Sequence, residues 1–335
     1  MSRTETTLGR TALGVSRLGL GLAAIGRPAY INLGRAHDLP AARTPAALYR
    51  RTVELLDAAR AAGIRYLDVA RSYGRAEEFL ARWLAERGVS PGTLTVGSKW
   101  GYRYTADWAL DAPVHEQKEL SRARFAQQLG ESRTHLGPHL ALYQIHSATA
   151  ESGCLEDVSL LTALVAARRA GAYRAVGLTL SGPTSARALA LARTARVDGE
   201  QVFDVVQATF NCLEPSLAAP LAAAHDAGLG VIVKEALANG RLTPANTRPE
   251  DASLVRALDA TAARLGRGID QLALAFVLAQ PFVDVVLSGA ATAAQLASHV
   301  AAPSLTLDTA TLATLTALAE SPTHYWQTRA TLRWS

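Results

Sequence analysis

Short apolar runs that end in polar residues alternate with longer amphipathic stretches eight times along this chain, and that alternation leaves few folds open. Strand and helix in strict alternation build a parallel sheet covered by helices. The runs at residues 18–22, 64–68, 94–98, 141–145, 172–177, 204–208, 230–233 and 283–287 read as the strands, several of them apolar on consecutive positions. Strands buried on both faces look like this. Between them, Leu48, Thr52, Leu55, Leu56 and Ala59 share one helical face with Gly63 as the stop, and helices are expected near 75–87, 121–136, 158–170, 184–193, 216–227, 252–265 and 293–300. Extra helices are expected at 269–279 and 308–319.

Eight such units fit a (β/α)8 barrel, for which about 250 residues plus insertions is usual. No linker divides the 335 residues, so a single α/β barrel domain over 1–335 is expected. A short hairpin, Thr6 to Gly9 against Val15-Ser16, should precede it and close the bottom, with additional helices at the C-terminal end. Two long segments, 27–45 after the first strand and 102–118 after the third, would lie on the face where barrel loops carry function.

Other classes fit poorly. The stretch 272–287 is broken by Gln280, Pro281 and Asp284, short of the roughly 20 clean residues a membrane helix needs. Met1 to Arg10 holds no apolar core, so no signal peptide and a cytoplasmic location are expected. Two cysteines cannot make a disulfide framework. A net charge of +5 permits an anionic ligand, but the arginines are scattered along helices, and no nucleic-acid partner is expected. Gly19-Leu20-Gly21 imitates part of a dinucleotide fingerprint without a helix opening behind it, because Pro28 intervenes. His135 and His139 are separated by Gly137-Pro138, which breaks any helix that would align them, so no metal is expected.

The strand ends concentrate the chemistry. The second strand ends in Asp68 with Tyr73 just beyond, the third in Lys99-Trp100, and the fourth runs into His146. Only three lysines occur among 34 basic residues, and two of them, Lys99 and Lys234, end strands. An ammonium is a compact charge whose pKa can move, whereas a guanidinium stays protonated. Each of these four groups taken alone also suits a structural ion pair, a loop aromatic or a satisfied histidine.

Together they resemble the aldo-keto reductase family, whose barrel carries an Asp, Tyr, Lys, His tetrad at these strand ends. Asp68 and Tyr73 stand in an Asp-x-Ala-x-x-Tyr-Gly pattern, Lys99 and His146 follow in order, and Gln207 and Asn211 form Gln-x-x-x-Asn after the sixth strand. The late Ser288-Gly289-Ala290 segment with Thr292 and Gln295 matches a phosphate loop. The resemblance implies hydride transfer between a nicotinamide cofactor and an aldehyde or ketone, reversible, with Tyr73 as general acid. A tyrosine with an ordinary pKa near 10 is too weak an acid alone. Lys99 is expected to lower it, Asp68 to hold Lys99, and His146 to orient the carbonyl oxygen.

By the same resemblance the cofactor would meet Thr179, Gln207, Lys234, Ala236, Leu237, Gly240, Ser288, Gly289, Ala290, Thr292, Gln295 and His299. The pattern breaks at three places. Leu180 stands where the family has an Asn, Lys234 follows the seventh strand where an aromatic usually stacks on the nicotinamide, and Ala290-Ala291 replace the usual basic group at the 2′-phosphate. Lys234 suits a cofactor phosphate, a substrate acid or Glu235 equally. Arg241 or Arg248 is the basic group left for the 2′-phosphate, and NADP(H) is expected ahead of NAD(H) from the family.

Trp100 and Tyr104 are candidate substrate-binding residues, although the rings at 102–108 equally suit packing of their loop against the barrel. The expected partner is a small carbonyl substrate, with the chain monomeric or weakly oligomeric. An NAD-dependent sugar or lactol dehydrogenase and a non-catalytic cofactor-sensing barrel are the alternatives.

Overall fold

The structure, a computed structural model, describes residues 5–334. A two-stranded hairpin, β1 (Glu5–Thr7) and β2 (Gly14–Ser16), comes first. Eight parallel strands then close a barrel: β3 (Leu18–Gly21), β4 (Tyr66–Asp68), β5 (Thr95–Trp100), β8 (Leu140–Ala148), β9 (Ala175–Leu180), β12 (Val205–Thr209), β13 (Gly230–Lys234) and β14 (Val285–Ser288), with β14 returning to pair with β3. Two hairpins interrupt the sequence, β6 (Tyr102–Tyr104) with β7 (Glu116–Lys118) above the barrel, and β10 (Arg196–Val197) with β11 (Glu200–Gln201).

The helices are α1 (Arg35–Asp38), α2 (Pro45–Ala61), α3 (Ala76–Glu86), α4 (Arg122–Leu136), α5 (Val158–Arg169), α6 (Ser185–Thr194), α7 (Ala218–Asp226), α8 (Ala252–Arg264), α9 (Ile269–Leu278), α10 (Ala293–Ala301), α11 (Thr309–Thr316) and α12 (Pro322–Thr331). Their starts follow the sequence chemistry. Thr44, Ser121, Asp157, Thr292, Asp308 and Ser321 each take a backbone N–H from the first turn, as caps do. The buried stripe Leu48, Thr52, Leu55, Leu56, Ala59 lies on α2 as its spacing requires.

The eight expected strands are the eight barrel strands, with ends displaced by up to three residues. The largest shift is at β9, expected at 172–177. Ala172 and Tyr173 are apolar but belong to the turn before the strand, where the Tyr173 hydroxyl donates to the Leu164 carbonyl 2.8 Å away. The helix α12 is not among those the sequence predicts. It presents few apolar residues, and of its side chains only the Tyr325 ring is buried.

The N-terminal hairpin closes the bottom as its sequence suggests. Leu8, Leu13 and Val15 bury against Tyr66, Leu142, Val205, Ile232 and Val285 inside the barrel. Gly9 has a left-handed φ of +51°, and a Cβ there would come within 2.2 Å of the Gly230 nitrogen, so only glycine permits the approach. Gly19 and Gly97 likewise flank the Tyr66 ring within the barrel. Gly19 in the Gly19-Leu20-Gly21 run thereby has a packing reason of its own. Among the described residues, no helix is long and apolar enough to cross a membrane.

Candidate functional site

Asp68 ends β4 and Lys99 stands one residue before the end of β5. Parallel pairing of the two strands brings both side chains into the barrel mouth, where the Lys99 ammonium donates to Asp68 Oδ1 and, at 3.0 Å, to the Val69 carbonyl. The other carboxylate oxygen accepts from the Tyr66 hydroxyl at 3.1 Å and from Gln207 Nε2 at 2.9 Å. Asp68 is therefore fully partnered. Lys99 is buried, and burial pushes its pKa down while Asp68 pulls it back.

Tyr73 lies in the turn after β4, and its ring covers Lys99, whose Nζ is 4.7 Å from the ring centroid. The expected contact between Lys99 and the phenol is thus a contact with the ring face. Burial and the Asp68 charge hold the phenol well above its ordinary pKa, against the expectation that Lys99 lowers it. The cation that acts most strongly in the lowering direction is Arg27, whose guanidinium carbon is 5.2 Å from the Tyr73 centroid. His146 meets Tyr73 edge-on at 5.6 Å between centroids, and its Nδ1 is 3.4 Å from Ser72 Oγ. Burial, then Lys99, keep this imidazole neutral.

These groups border a cavity of about 770 Å³. Asp68, Tyr73, His146 and Gln207 are on its wall. So are Lys234, Ala236, Leu237, Gly240, Ser288, Gly289, Gln295 and His299. The expected cofactor set is therefore gathered along one continuous hollow, with three exceptions. Thr179 is turned away, its hydroxyl accepting the Ser147 N–H at 2.7 Å, and Ser181 lines the wall in its place. Thr292 is the cap of α10 and holds the Gln295 N–H at 3.1 Å. Ala290 is buried behind the wall with its N–H on Ser288 Oγ.

The two expected substrate residues are also displaced. Successive strand residues face opposite sides, so Trp100, next to the inward Lys99, points out of the barrel and packs on Phe125 at 5.2 Å. Tyr104 stands two residues farther along the hairpin than Tyr102, which is the ring on the wall. Trp108 packs its loop down, 6.4 Å from Phe79 with its indole N–H on the Arg43 carbonyl.

Several wall residues escaped the sequence reading. Arg27 is buried between the rings of Tyr30 and Trp334, 4.8 Å from each, and pairs with Glu116 at 2.8 Å. Trp334 arrives from the C-terminal end and stacks on His115 at 4.4 Å. The position of Arg27 in a loop facing the catalytic side was the available hint; for Trp334 the sequence offers none. Lys234 donates to Thr209 Oγ1 at 2.8 Å and Ser181 Oγ at 3.0 Å, with Glu235 3.8 Å away. Burial pushes its pKa down to about 8, against the pull of Glu235.

Arg241 and Arg248, the basic groups expected at a 2′-phosphate, are elsewhere. Arg241 makes paired hydrogen bonds to Asp251 and to Glu320, Arg248 reaches Asp251 at 3.3 Å, and both line a separate depression. Their charges are taken by carboxylates already inside the protein.

A nicotinamide dinucleotide fits what is present. The hollow is large at about 770 Å³, there is open space beside Gly289 on its wall, and the first amides of α10 have no intrahelical acceptor.

The sequence model described as the Aldo/keto reductase family matches residues 18–320. An aldo-keto reductase from Bacillus halodurans in its holo form is similar in structure at a TM-score of 0.71, with 19% identity over 95% of this chain and 97% of that one. A Pseudomonas aeruginosa protein provisionally identified as an aldo-keto reductase is similar at 0.64, with 23% identity over 90% of this chain and 94% of that one. No curated protein sequence matches the chain.

Proposed function

The chain belongs to the aldo-keto reductase family, and from that premise we propose that it reduces an aldehyde or ketone with NAD(P)H, reversibly, using Tyr73 as the proton donor. The observation that carries the proposal is the clustering of Asp68, Lys99, Tyr73 and His146, with Asp68, Tyr73 and His146 on the cavity wall and Lys99 directly behind them.

When bound, the nicotinamide cofactor supplies the hydride. The rest is the work of side chains. Burial keeps the Tyr73 phenol protonated at neutral pH, which is the form a carbonyl oxygen needs as negative charge develops on it. The phenolate left behind would face two cations, Lys99 over one part of the ring and Arg27 over another, and both are fixed in advance. Asp68 does not touch the reacting atoms; it anchors Lys99, and its own position is fixed by Tyr66 and Gln207. The neutral His146 imidazole on the wall offers a hydrogen bond to the carbonyl oxygen without competing for the proton.

On the substrate side, Tyr30, Tyr102 and Trp334 supply apolar surface, with Arg27 and Glu116 as a polar pair among them. Such a lining suits a small organic carbonyl compound. The test is NAD(P)H consumption with a reactive aldehyde. Turnover is expected. Tight cofactor binding with no turnover on any reactive aldehyde or ketone would overturn the reading and leave a cofactor-binding protein.

A further inference from the structure

The charges on the cavity wall are sorted by position. Its strong cations, Arg27, Lys234 and Arg329, stand toward the tetrad, and each has an acid beside it: Glu116 for Arg27, and Glu235 for both Lys234 and Arg329. Where the wall is made by Asp38, the end of β14 and the first turns of α9 and α10, the charged side chains are Asp38 and Asp270. Asp270 is buried and faces His299 at 3.6 Å, an imidazole that burial keeps neutral. Arg35, whose charge also reaches toward Asp38, lies behind this wall with its guanidinium on the carbonyls of Ala24, Arg27 and Pro28.

Asp38 is held in a defined orientation. Its Oδ2 accepts Gln295 Nε2 at 2.8 Å, and Gln295 Oε1 in turn accepts the Ala291 N–H at 2.8 Å. The glutamine is thereby used on both sides, and it ties the carboxylate to the start of α10. Asp38 Oδ1 makes no side-chain hydrogen bond or ion pair among the described residues.

We infer that Asp38 makes this cavity select NAD(H) over NADP(H), its free oxygen accepting a ribose 2′-hydroxyl and its charge opposing a 2′-phosphate. The inference rests on the proposed function, because it requires a nucleotide with its reactive end at Tyr73 to place its other end at Asp38 on the wall of the same cavity. An acidic side chain is how dinucleotide sites accept a ribose hydroxyl, while a 2′-phosphate is ordinarily met by arginine. Here no arginine or lysine is on that part of the wall among the described residues. A phosphate monoester carries close to two negative charges at neutral pH, so a fixed carboxylate nearby opposes it in any solvent-shielded geometry. This reverses the NADP(H) expectation drawn from the family.

The experiment is equilibrium titration of the full chain with NADH and with NADPH, followed by tryptophan quenching at fixed ionic strength, for the natural protein, Asp38→Asn and Asp38→Ser. The natural protein is expected to bind NADH roughly tenfold or more tighter than NADPH. Both variants should narrow that ratio mainly by gaining NADPH affinity. Raising salt from about 0.02 M to about 0.3 M should narrow it more for the natural protein than for the variants, since salt screens the repulsion between Asp38 and a 2′-phosphate. Equal or tighter NADPH binding by the natural protein, or a ratio unchanged by both substitutions, would overturn the inference while leaving the proposed function intact. Binding of neither nucleotide would remove the proposed function, and the inference with it.

Discussion

Lys99 sits over the face of Tyr73, its Nζ 4.7 Å from the ring centroid, while its hydrogen bonds go to Asp68 and to the Val69 carbonyl. The pairing separates two roles that the sequence alone runs together. Lys99 does not take the phenol proton or hold the hydroxyl; it supplies a positive charge beneath a ring that burial keeps protonated.

Replacing Tyr73 with Phe removes one hydroxyl and almost no volume, so the ring contacts with Lys99, Arg27 and His146 should survive. Positioned proton transfer contributes about 10²- to 10⁴-fold, and kcat/KM for a test aldehyde should fall by about that factor. The cofactor dissociation constant should stay within about twofold, since the interaction lost is one made in the transition state. Steady-state kinetics paired with fluorescence titration measures both. A variant with undiminished turnover would show that the proton comes from elsewhere.

His146 makes a prediction about stability. Its folded-state pKa is lowered well below 6.5 by burial and by Lys99, so the unfolded chain takes up a proton near pH 6.5 that the native protein refuses. Stability must then fall as pH drops below about 6.5, by up to about 1.4 kcal/mol per pH unit for one such group. In His146→Asn that contribution is absent. Urea unfolding at a series of pH values from about 7 down to about 5 should give a shallower loss for the variant. Parallel curves for the two proteins would mean that the imidazole is readily protonated in the folded state.

Glu235 is the centre of a buried charge cluster. It accepts from Arg329 Nε at 3.0 Å and from Thr209 Oγ1 at 2.9 Å, with Lys234 close by. Burial alone would raise its pKa, yet Arg329 and then Lys234 hold it down at about 2. Glu235→Gln leaves two cations in a poorly solvated place without their counter-charge, and breaking a buried pair in this way costs about 3 kcal/mol or more. Chemical denaturation should show a clearly lowered midpoint with an unchanged slope. Lys234, freed of its acid, should also titrate below about 8, the value it has with Glu235 present.

The barrel was legible because several of its strands are apolar on consecutive positions and alternate with helical patterns, which local sequence carries. The tetrad was legible for a related reason: a side chain at a strand end is placed by the strand itself, and β4, β5 and β8 bring Asp68, Lys99 and His146 together once their pairing is fixed. What stayed hidden depends on contacts between distant segments. Trp334 reaches Arg27 across some three hundred residues of chain, and nothing near either one announces the meeting. Trp100 obeys strand alternation: its neighbour Lys99 faces inward, so Trp100 faces out. The helix α12 had a readable start in Ser321-Pro322, a cap followed by proline at the first position, but its faces are too polar to stand out.

Arg241 is bound by acids inside the protein and not by a nucleotide phosphate. Read from sequence, it was a candidate for the 2′-phosphate; in the fold it is 3% exposed and bonded to both Asp251 and Glu320. A guanidinium with two carboxylates already on it cannot turn to a ligand without stripping Glu320 of its ion pair and leaving Asp251 to Arg248 and Asn246. Arg241→Met should therefore lower stability by about 3 kcal/mol, the scale for removing one partner from a buried ion pair. The ratio of NADPH to NADH affinity, measured at a temperature where the variant remains folded, should not move. If the stability were unaffected and NADPH binding alone weakened, Arg241 would have to leave its acids for the nucleotide, and the separation between the cavity and the depression beside it would be wrong.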